Sequence, residues 1–350
     1  MGANKKNGKK IGIMTGGGDA PGLNGILEAS CKTLHGLGYE VLGIEDGFEG
    51  IFEGRFRPIL PKDILYVHSQ AGTFLGTSNR CGTAGRESEF LEKYSSLGLS
   101  GLIAAGGDGT FAGLKPFEKT IPMIGVPKTI DNDLPGTEVT FGYDTACSVV
   151  ARSVDALRAT AYAHKRVIIV ETMGRTAGWI ALGGGLASYS DVILIPERPF
   201  DREKLVEFIR HKHHQGQRGF MVVVSEGAHA RGEDIRVAFQ VPGSPESKRL
   251  GGIAEVMARW IEKEVGWESR HVVLGHLQRS EHPTTTDRFL TLAMGVEVAR
   301  MVDENAWGQA VVYRQGQVKR APVCELMTGA RLVDHEHRWI KLANALGIFI

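Results

Sequence analysis

Short apolar runs alternate with polar, glycine-rich segments along almost the whole chain. The runs are rich in Val and Ile, which is typical of strands that are buried on both faces of a sheet. We predict strands at residues 10–15, 40–44, 101–105, 121–126, 166–171, 192–195, 220–225 and 271–274. Polar residues follow the carboxyl ends of these strands, which is where open α/β sheets bind their ligands.

Between the strands, longer segments carry apolar residues at helical spacing. We predict helices at residues 23–37, 86–94, 146–161, 201–214, 252–265 and 286–303, and a loop through the 230s and 240s. Alternating strands and helices predict parallel sheets that are covered by helices on both faces. The predicted fold class is therefore α/β, and 350 residues are enough for two domains.

The composition is that of an ordinary globular protein, with 42% hydrophobic and 23% charged residues. Lys plus Arg (41) nearly equals Asp plus Glu (40), which argues against nucleic acid as the main partner. The four cysteines form no CxxC pair, so neither a zinc site nor a disulfide framework is expected. Residues 1–9 are expected to be a disordered tail, and no segment has the pattern of a signal peptide or a membrane span. We therefore expect a cytoplasmic protein without a membrane partner.

Acidic residues follow two of the predicted strands. Asp108 lies in the segment GGDGT, residues 106–110, while Asp131 and Asp133 follow the next strand and Asp144 comes later. Loops that are held by buried strands are where chemistry is usually done. Because Asn, Asp, Pro and Gly also favour turns, the second loop taken alone is equally typical of a simple turn. Two such loops together are expected to place acids and bare backbone amides at one edge of one sheet.

A third loop, residues 16–22, is rich in glycine and lies between a predicted strand and a predicted helix. This arrangement offers free amides to an anion. It matches neither common phosphate fingerprint, because the G-x-G-x-x-G spacing is not met and no Gly-Lys-Ser/Thr follows. By itself the loop is compatible with a phosphate site or with a plain tight turn.

A longer set of motifs identifies a family. GGDGT alone is shared with NAD kinases and lipid kinases and indicates only a nucleotide phosphate. The discriminating motifs are TGGGDAPGLN (15–24), PKTIDND (127–133), FGYDTA (141–146), ETMGRTAGW (171–179), SEGA (225–228) and VLGHLQR (273–279). With these motifs, in this order over residues 10–300, the chain resembles the phosphofructokinases.

The resemblance implies two doubly wound, Rossmann-like parallel-sheet domains with the active site between them. Residues 10–145 would bind ATP and Mg²⁺, completed by part of 275–310. Residues 146–274 would bind the sugar phosphate, with 311–350 adding C-terminal strands and a helix. The implied reaction is the glycolytic transfer of the γ-phosphoryl group of ATP to the 1-hydroxyl of fructose 6-phosphate.

For catalysis, the resemblance implies that Asp131 is the general base for the 1-hydroxyl, with Thr129 and Asp133 beside it. An alcohol that attacks a γ-phosphoryl group makes the same demand, because its proton must be removed and its position fixed. Asp108 resembles the family's Mg²⁺ carboxylate, and magnesium needs only one or two protein acids. Arg175 resembles the arginine that steadies the transferred group.

The other implied site residues divide by the molecule that they contact. Those that face the donor's phosphates are Gly17, Arg80, Gly107, Gly109 and Thr110. Those that face fructose 6-phosphate, besides the catalytic residues, are Arg166, Met173, Gly174, Glu226, Arg270, His276 and Arg279. In the family two of these, here Arg166 and Arg270, reach across from a neighbouring subunit. The resemblance therefore implies a homo-oligomer, most often a tetramer.

The chain departs from the bacterial ATP enzymes of this family in several places. Glu45 stands where they have an aromatic residue beside the adenine, and the loop at Asn79–Arg80 is one residue longer. Glu28 replaces the first arginine of the bacterial effector site, so that the familiar nucleotide activation is not expected. Ser280-Glu281 replaces a Gly-Gly pair after the histidine loop.

The identity of the phosphoryl donor depends on two residues. In the pyrophosphate-dependent enzymes of the family an aspartate commonly stands at the position of Gly109, and a lysine stands at the position of Lys128. The glycine here is of the ATP kind and the lysine is of the pyrophosphate kind. We expect ATP, because a carboxylate at position 109 would repel the α-phosphate while Lys128 repels neither donor. The alternative is a pyrophosphate-dependent enzyme.

Two further hypotheses come from other functional classes. One is a catalytically silent subunit or sugar-phosphate sensor on the same fold, which the presence of the base, the metal acid and Arg175 disfavours. The other is a dinucleotide dehydrogenase, which the missing fingerprint disfavours.

Overall fold

The computed structural model describes residues 8–78, 81–240 and 248–350. Its strands are β1 Lys10–Thr15, β2 Glu40–Ile44, β3 Phe56–Pro58, β4 Gly101–Gly106, β5 Met123–Pro127, β6 Val167–Thr172, β7 Val192–Leu194, β8 Phe220–Ser225, β9 Val237–Gln240, β10 Lys248–Leu250, β11 Ser269–Val273, β12 Gln309–Arg314 and β13 Gln317–Pro322. Its α-helices are α1 Leu23–Gly36, α2 Phe48–Glu53, α3 Glu87–Ser96, α4 Asp108–Leu114, α5 Tyr143–His164, α6 Trp179–Ala187, α7 Arg202–His214, α8 Ile253–Val265, α9 Leu277–Ser280, α10 Thr285–Asp303 and α11 Arg338–Ala345. Short 3-10 helices lie at Pro61–Ile64, Val67–Ser69, Lys115–Phe117 and Val323–Met327.

The chain divides into two compact units. The described residues of unit 1 are 8–78, 81–145 and 279–330. Those of unit 2 are 146–240, 248–278 and 331–350. Of the tail expected at residues 1–9, all but Gly8 and Lys9 lie outside the described residues.

Unit 1 contains a seven-stranded sheet in the order β13-β12-β5-β4-β1-β2-β3. The five central strands are parallel, while β3 and β13 are antiparallel at the two edges. Strands β4 and β5 are buried along their whole length, as their continuous apolar sequence predicts. The chain runs outward from β1 to β2 and then returns to build β4 and β5 on the other side. The strand order therefore reverses between β1 and β4, which is the switch point where such sheets bind ligands.

Unit 2 contains a parallel four-stranded sheet in the order β11-β6-β8-β7. Helices α7 and α8 cover one face, where Leu205 and Met257 share a core with Val222. Helix α6 covers the opposite face, because its Gly185 packs against the side chains of Ile193 and Val223. Both faces of this sheet are therefore covered, and the predicted α/β fold class is confirmed.

The bounds of β1, β2 and β8 are those predicted from the sequence. The loop predicted at residues 231–234 is present, and residues 243–245 lie outside the described residues. The predicted loop region also contains strands β9 and β10, which pair in antiparallel fashion. Alternating apolar residues at Ile235, Val237 and Phe239 carry the period of two that is typical of a half-buried strand. Helix α6 was not predicted, since its three glycines lower helix propensity. Tight packing of Gly185 against the sheet compensates for that loss.

Strands β12 and β13 belong to the sheet of unit 1. From the sequence, residues 311–350 are predicted to lie with the sugar-phosphate domain. In the structure, however, β12 pairs in parallel with β5, and β13 forms a hairpin with β12. Gln315 and Gly316 form the two-residue turn with positive φ values of 54° and 74°, as hairpin turns of this length favour. Only the segment from Arg331 onward packs with unit 2.

None of the helices in the described part of the chain has the length and hydropathy that a membrane span requires.

Glu28 joins helix α1 to the 3-10 helix Val67–Ser69. Its side chain is 5% exposed, and its carboxylate accepts hydrogen bonds from Lys32 (2.5 Å), from the His68 backbone (2.9 Å) and ring (2.8 Å), and from the Tyr66 backbone (3.2 Å). Burial opposes ionisation, but these donors outweigh it and lower the pKa of Glu28 to about 2. Glu28 is therefore a structural carboxylate in this chain.

Replacing Glu28 with glutamine is expected to lower the free energy of unfolding by about 3 kcal/mol at pH 7. The folded pKa lies below the unfolded value of 4.5, so the stabilisation is present above pH 4.5 and is lost as the pH falls toward 2. The difference from the parent should be smaller by about 1.4 kcal/mol at pH 3.5. Urea unfolding at both pH values measures it. The control is the exposed Glu40→Gln, and an equal loss at the two pH values would contradict ionisation as the cause.

Candidate active site

Three loops of unit 1 meet at the switch point of its sheet. The register places Thr15 opposite Ala105 and Gly106 opposite Pro127, so that the segments after β1, β4 and β5 begin side by side. The backbone N–H of Gly16 donates to Ala105 O (2.9 Å), and that of Lys128 donates to Gly106 O (2.9 Å). The structure thus brings together the three loops that were predicted from the sequence to carry the site.

Glycines allow the loops after β1 and β4 to approach closely. A Cβ atom on Gly16 would lie 2.6 Å from the hydroxyl of Thr110, and one on Gly106 would overlap the Thr110 side chain. Thr110 is therefore buried between two glycine backbones. Gly17 has a positive φ of 76°, a conformation that favours glycine. The predicted contacts of Gly17 and Thr110 with a donor stay predictions.

The start of helix α4 is open. Asp108 and Gly109 are exposed, and the Gly109 N–H donates to Asp108 Oδ1 at 2.7 Å. Apart from its two chain neighbours and the backbone of its own helix, no described atom lies within 4 Å of a Cβ built on Gly109. Gly107 is half-buried, and a Cβ there would lie 3.5 Å from Lys128 O. A larger residue at position 109 would therefore meet whatever occupies this space rather than the protein itself.

Side chains and an unusual backbone conformation fix the loop that carries Asp131 and Asp133. Asn132 has a φ of 53°, and its side-chain oxygen accepts a hydrogen bond from the Thr140 backbone (2.9 Å). The Thr140 hydroxyl donates to Thr129 O (2.6 Å), and the Asp131 N–H donates to the Thr129 hydroxyl (3.1 Å). Both aspartates are half-buried. The loop thus returns on itself and presents two acids in a defined backbone conformation.

The carboxylates interact electrostatically. Burial raises the pKa of Asp133, and the negative charges of Asp131 and Asp108 raise it further, while a hydrogen bond from Thr129 opposes them. The three acids therefore lie close enough to repel one another. A divalent cation beside them would relieve this repulsion.

Lys128 is a buried cation in the same loop region, 2% exposed. Burial lowers its pKa to about 7, and Arg279 adds to that effect, while Asp19, Asp131 and Asp133 oppose it. Its ammonium group donates to the carbonyl oxygen of Gly18. Lys128 therefore joins the glycine loop to the acidic loop, a contact that the sequence did not indicate.

Arg279 also contacts the glycine loop. Its guanidinium donates to Asp19 O at 2.6 Å, and a Cβ on Gly18 would lie 3.0 Å from Arg279 Nη1. Arg279 belongs to unit 1. From the sequence it is predicted to bind the phosphate of the sugar. That role stays a prediction, and in the structure this arginine lies beside the glycine loop.

A second group of predicted residues lies at one edge of the sheet of unit 2. Met173, Gly174 and Arg175 follow β6, Glu226 follows β8 and His276 follows β11. The register aligns Thr172 with Ser225 and Glu171 with Val273, so these segments leave the sheet together. The Ser225 hydroxyl donates to Gly174 O (2.5 Å), and the Glu226 N–H donates to Thr172 O (2.9 Å).

Arg166 and Arg270 lie at the opposite edge of that sheet. Arg166 precedes β6, and Arg270 is paired with Ile168 near the start of the strand. Both pair with the same carboxylate, that of Glu268, at 2.8 Å and 2.5 Å. At about 3.3 Å per residue along β6, roughly 20 Å separates Arg166 and roughly 13 Å separates Arg270 from the carboxyl edge. Within one chain the structure therefore does not bring these two arginines to Glu226 and His276.

The predicted adenine region is described only in part. Arg80 and Asn79 lie outside the described residues. Glu45 is described, and its carboxylate pairs with Arg57 at 3.1 Å. The guanidinium of Arg57 in turn lies 4.3 Å from the centre of the Phe74 ring.

Sequence reasoning missed a group of buried polar residues behind the acidic loop. Asp287 is 0% exposed, and its carboxylate accepts hydrogen bonds from the Thr145 backbone (2.9 Å) and hydroxyl (2.5 Å). Burial raises its pKa to about 6, although the bonds from Thr145 oppose the shift. Thr284 donates to Asp144 at 2.6 Å, so that Asp144 is a structural partner. The signal was present, because Thr284 and Asp287 have the spacing of a helix N-terminal capping pair.

The donor set around Asp108 fits magnesium. Asp108 is an exposed carboxylate, and the charges on Asp131 and Asp133 make its surroundings negative. No group of three or more His, Cys, Asp or Glu residues among the described residues has the geometry of a protein-built metal cage. Magnesium does not need one, because it keeps several waters and is usually bound by one or two carboxylates together with phosphate oxygens.

Comparison with known proteins agrees with these motifs. The sequence model described as Phosphofructokinase matches residues 10–302. An ATP-dependent 6-phosphofructokinase from Chloroflexus aurantiacus is 39% identical over 99% of this chain and 98% of its own length. One from Mycobacterium tuberculosis is 38% identical over 93% of this chain and 96% of its own length. A pyrophosphate–fructose 6-phosphate 1-phosphotransferase from Streptomyces coelicolor is 38% identical over 93% of this chain and 96% of its own length.

Solved structures show the same fold. Pichia pastoris phosphofructokinase in the T-state superposes with a TM-score of 0.80 at 26% identity, over 99% of this chain and 39% of that longer chain. A pyrophosphate-dependent phosphofructokinase from Marinobacter aquaeolei has a TM-score of 0.80 at 22% identity, over 98% of this chain and 88% of its own, and supports the fold alone. The motifs, the fold and the match across most of the sequence lead to one conclusion. The chain belongs to the phosphofructokinase family.

Proposed function

We propose that this chain is an ATP-dependent 6-phosphofructokinase. It transfers the γ-phosphoryl group of ATP to the 1-hydroxyl of fructose 6-phosphate, giving fructose 1,6-bisphosphate and ADP in glycolysis. The observation that carries the proposal is the convergence of the glycine loop, the Asp108–Gly109 segment and the Asp131–Asp133 loop at the switch point of unit 1. Family membership supports the same reaction.

Asp131 acts as the general base in this proposal. The attacking 1-hydroxyl must lose its proton as the bond to phosphorus forms, and a carboxylate within hydrogen-bond reach accepts it. Thr129 holds the backbone of Asp131, and Asp133 is the second acid beside it. Burial and the charges of Asp131 and Asp108 raise the pKa of Asp133, and its carboxyl oxygens are hydrogen-bond acceptors for a sugar hydroxyl.

Charge on the transferred group is balanced by cations and amides. Mg²⁺ held by Asp108 would neutralise phosphate oxygens of the donor. Lys128 holds the carbonyl of Gly18 and so keeps the glycine loop next to the acids, where Gly17, Gly107, Gly109 and Thr110 face the donor. Arg175 steadies the transferred group.

The sugar phosphate is assigned to the remaining residues. Met173, Gly174, Glu226 and His276 share one edge of unit 2, which supports a common ligand for them. Arg279 contributes a cation, and Arg166 and Arg270 complete the 6-phosphate site from a neighbouring copy. None of the four cysteines forms a disulfide bond within the described part of the chain, which supports a cytoplasmic location.

A pyrophosphate donor is the second candidate. The buried Lys128 beside the glycine loop favours it, as does the likeness to the Streptomyces coelicolor enzyme. Gly109 favours ATP, because a glycine adds no carboxylate at the position where the donor's α-phosphate is expected and is exposed at the start of α4.

Steady-state turnover of fructose 6-phosphate with ATP and with pyrophosphate, measured side by side, tests the proposal. We expect kcat/KM to be higher with ATP. A higher value with pyrophosphate would reject the ATP assignment and keep the family reaction, and no turnover with either donor would reject catalysis.

Activity is expected to require assembly, because Arg166 and Arg270 lie roughly 20 Å and 13 Å from the carboxyl edge of their own sheet. Dilution followed by light scattering and assay should show activity falling as the oligomer dissociates. Mixed oligomers of Asp131→Asn and Arg270→Ala subunits should regain activity that neither variant has alone.

The control for Arg270→Ala is Arg259→Ala, an exposed arginine on α8 that pairs with Glu255. Fully active monomers, or the absence of any recovery in the mixed oligomers, would reject a site that is shared between copies.

A further inference from the structure

We propose that Glu197 is a positioning residue, which with Arg331, Val333 and His337 of the C-terminal segment fixes the loop that carries Arg175. The inference rests on the proposed role of Arg175 in phosphoryl transfer. All residues in it belong to unit 2. The contacts lie between two segments. One is the end of the loop that joins β6 to α6, residues 173–178, and the other is the chain that follows Ala330.

The carboxylate of Glu197 joins two segments that are far apart in sequence. Gly178, the last residue before α6, donates its N–H to both oxygens of Glu197 at 3.0 Å and 3.1 Å. Val333 donates its N–H to Glu197 Oε1 at 2.8 Å. Hydrogen bonds from backbone N–H groups to an ionised acceptor are among the stronger ones in proteins. One side chain therefore links the end of the Arg175 loop to the C-terminal segment.

The next residue is held by the same segment. Trp179 is buried, and its indole N–H donates to Arg331 O at 2.8 Å. The guanidinium of Arg331 lies 4.3 Å from the centre of the Trp179 ring, and the His337 ring meets that ring edge-on at 5.0 Å. Gly178 and Trp179 are thus fixed by contacts to Glu197 and to the C-terminal segment.

The other end of the loop is fixed by β8 and the residues after it. The Ser225 hydroxyl donates to Gly174 O, and a Cβ on Gly227 would overlap the carbonyl oxygen of Arg175. The backbone on both sides of Arg175 is therefore held by neighbouring segments of unit 2. A displacement of about 1 Å in a group that stabilises a transition state can reduce the rate by about 10².

At position 197 a carboxylate fits the backbone N–H donors better than the side chain of glutamine or alanine would. Burial raises the pKa of Glu197, and the hydrogen bonds from Val333 and Gly178 oppose that rise. Glutamine has one acceptor oxygen in place of two and would turn its NH₂ group toward a backbone donor. Alanine has none and would leave both N–H groups without this acceptor.

The test is a double-mutant cycle of Glu197→Ala and Arg175→Ala, with kcat and KM measured for both substrates. We expect Glu197→Ala to lower kcat by about 10- to 100-fold and to change the KM for ATP by less than about twofold. In the Arg175→Ala background the same change should lower kcat by less than about threefold, because the group it positions is absent. Glu197→Gln should recover part of kcat, and it replaces Glu197→Ala in the cycle if the alanine variant does not fold.

Glu336→Ala is the matched control, since it removes an exposed carboxylate from the same part of the chain. It should leave kcat unchanged. Amide hydrogen exchange gives a second readout that does not depend on catalysis, and Glu197→Ala should speed exchange at Gly178 and Val333.

The outcomes separate the two proposals. An impaired Arg175→Ala variant in which Glu197→Ala lowers kcat by the same factor as in the parent would overturn the positioning role and leave the proposed function intact. The absence of any effect of Glu197→Ala on kcat in the parent would do the same. An Arg175→Ala variant with full activity would reject the role of Arg175 in the proposed function, and the positioning role with it.

Discussion

Replacing Asp131 with asparagine is expected to lower kcat by about 10² to 10⁴, the usual range for loss of a positioned acid or base. Asparagine has nearly the same shape, so the backbone bond from Asp131 to the Thr129 hydroxyl and the Asn132–Thr140 bond remain available to the loop. The fold should therefore be unaffected while proton transfer is lost. Steady-state turnover with saturating ATP and fructose 6-phosphate, together with a thermal melt, measures the two effects separately.

The control for this variant is Glu138→Gln, which changes an exposed carboxylate farther along the same loop. Its kcat should equal that of the parent. A value for Asp131→Asn within about threefold of the parent would remove Asp131 from the role of general base.

Replacing Gly109 with aspartate is expected to abolish the use of ATP without unfolding the protein. Apart from its two chain neighbours and the backbone of its own helix, no described atom lies within 4 Å of a Cβ at this position, and Gly109 is not among the glycines with positive φ. The added carboxylate would meet the α-phosphate at roughly 4 Å, which costs about 4 kcal/mol at an effective dielectric near 20. That energy corresponds to a loss of on the order of 10³ in affinity for ATP. The KM for ATP and the turnover with pyrophosphate, measured on the same preparation, test it.

Gly109→Asn is the matched control, because it has the size of aspartate without the charge. If charge is the cause, the asparagine variant should retain far more ATP activity than the aspartate variant. Equal losses in the two variants would assign the effect to size. A parent protein that already prefers pyrophosphate would show that Glu45 and the longer loop at Asn79, rather than Gly109, select the donor.

The sequence by itself determined the elements that depend on local pattern. Strands such as β1, β2 and β8 were bounded correctly, since buried parallel strands need continuous apolar residues and end where polar loops begin. The motifs around Asp108, Asp131 and Arg175 were also readable, because their residue types follow one another directly in the chain. The family and the α/β fold class follow from these local features.

The tertiary structure decided every feature that depends on contacts between distant residues. The bond from Lys128 to Gly18, the placement of Arg279 beside Asp19 and the clamp of Glu197 on Gly178 and Val333 join segments with no common sequence pattern. The same holds for Arg166 and Arg270, whose position at the amino edge of the sheet follows from strand order and register. The order of residues along the chain determines which of them can form a helix or a strand. Burial and hydrogen bonding in the folded chain determine which helices, strands and loops become neighbours. The candidate site of this protein is built from such neighbouring segments.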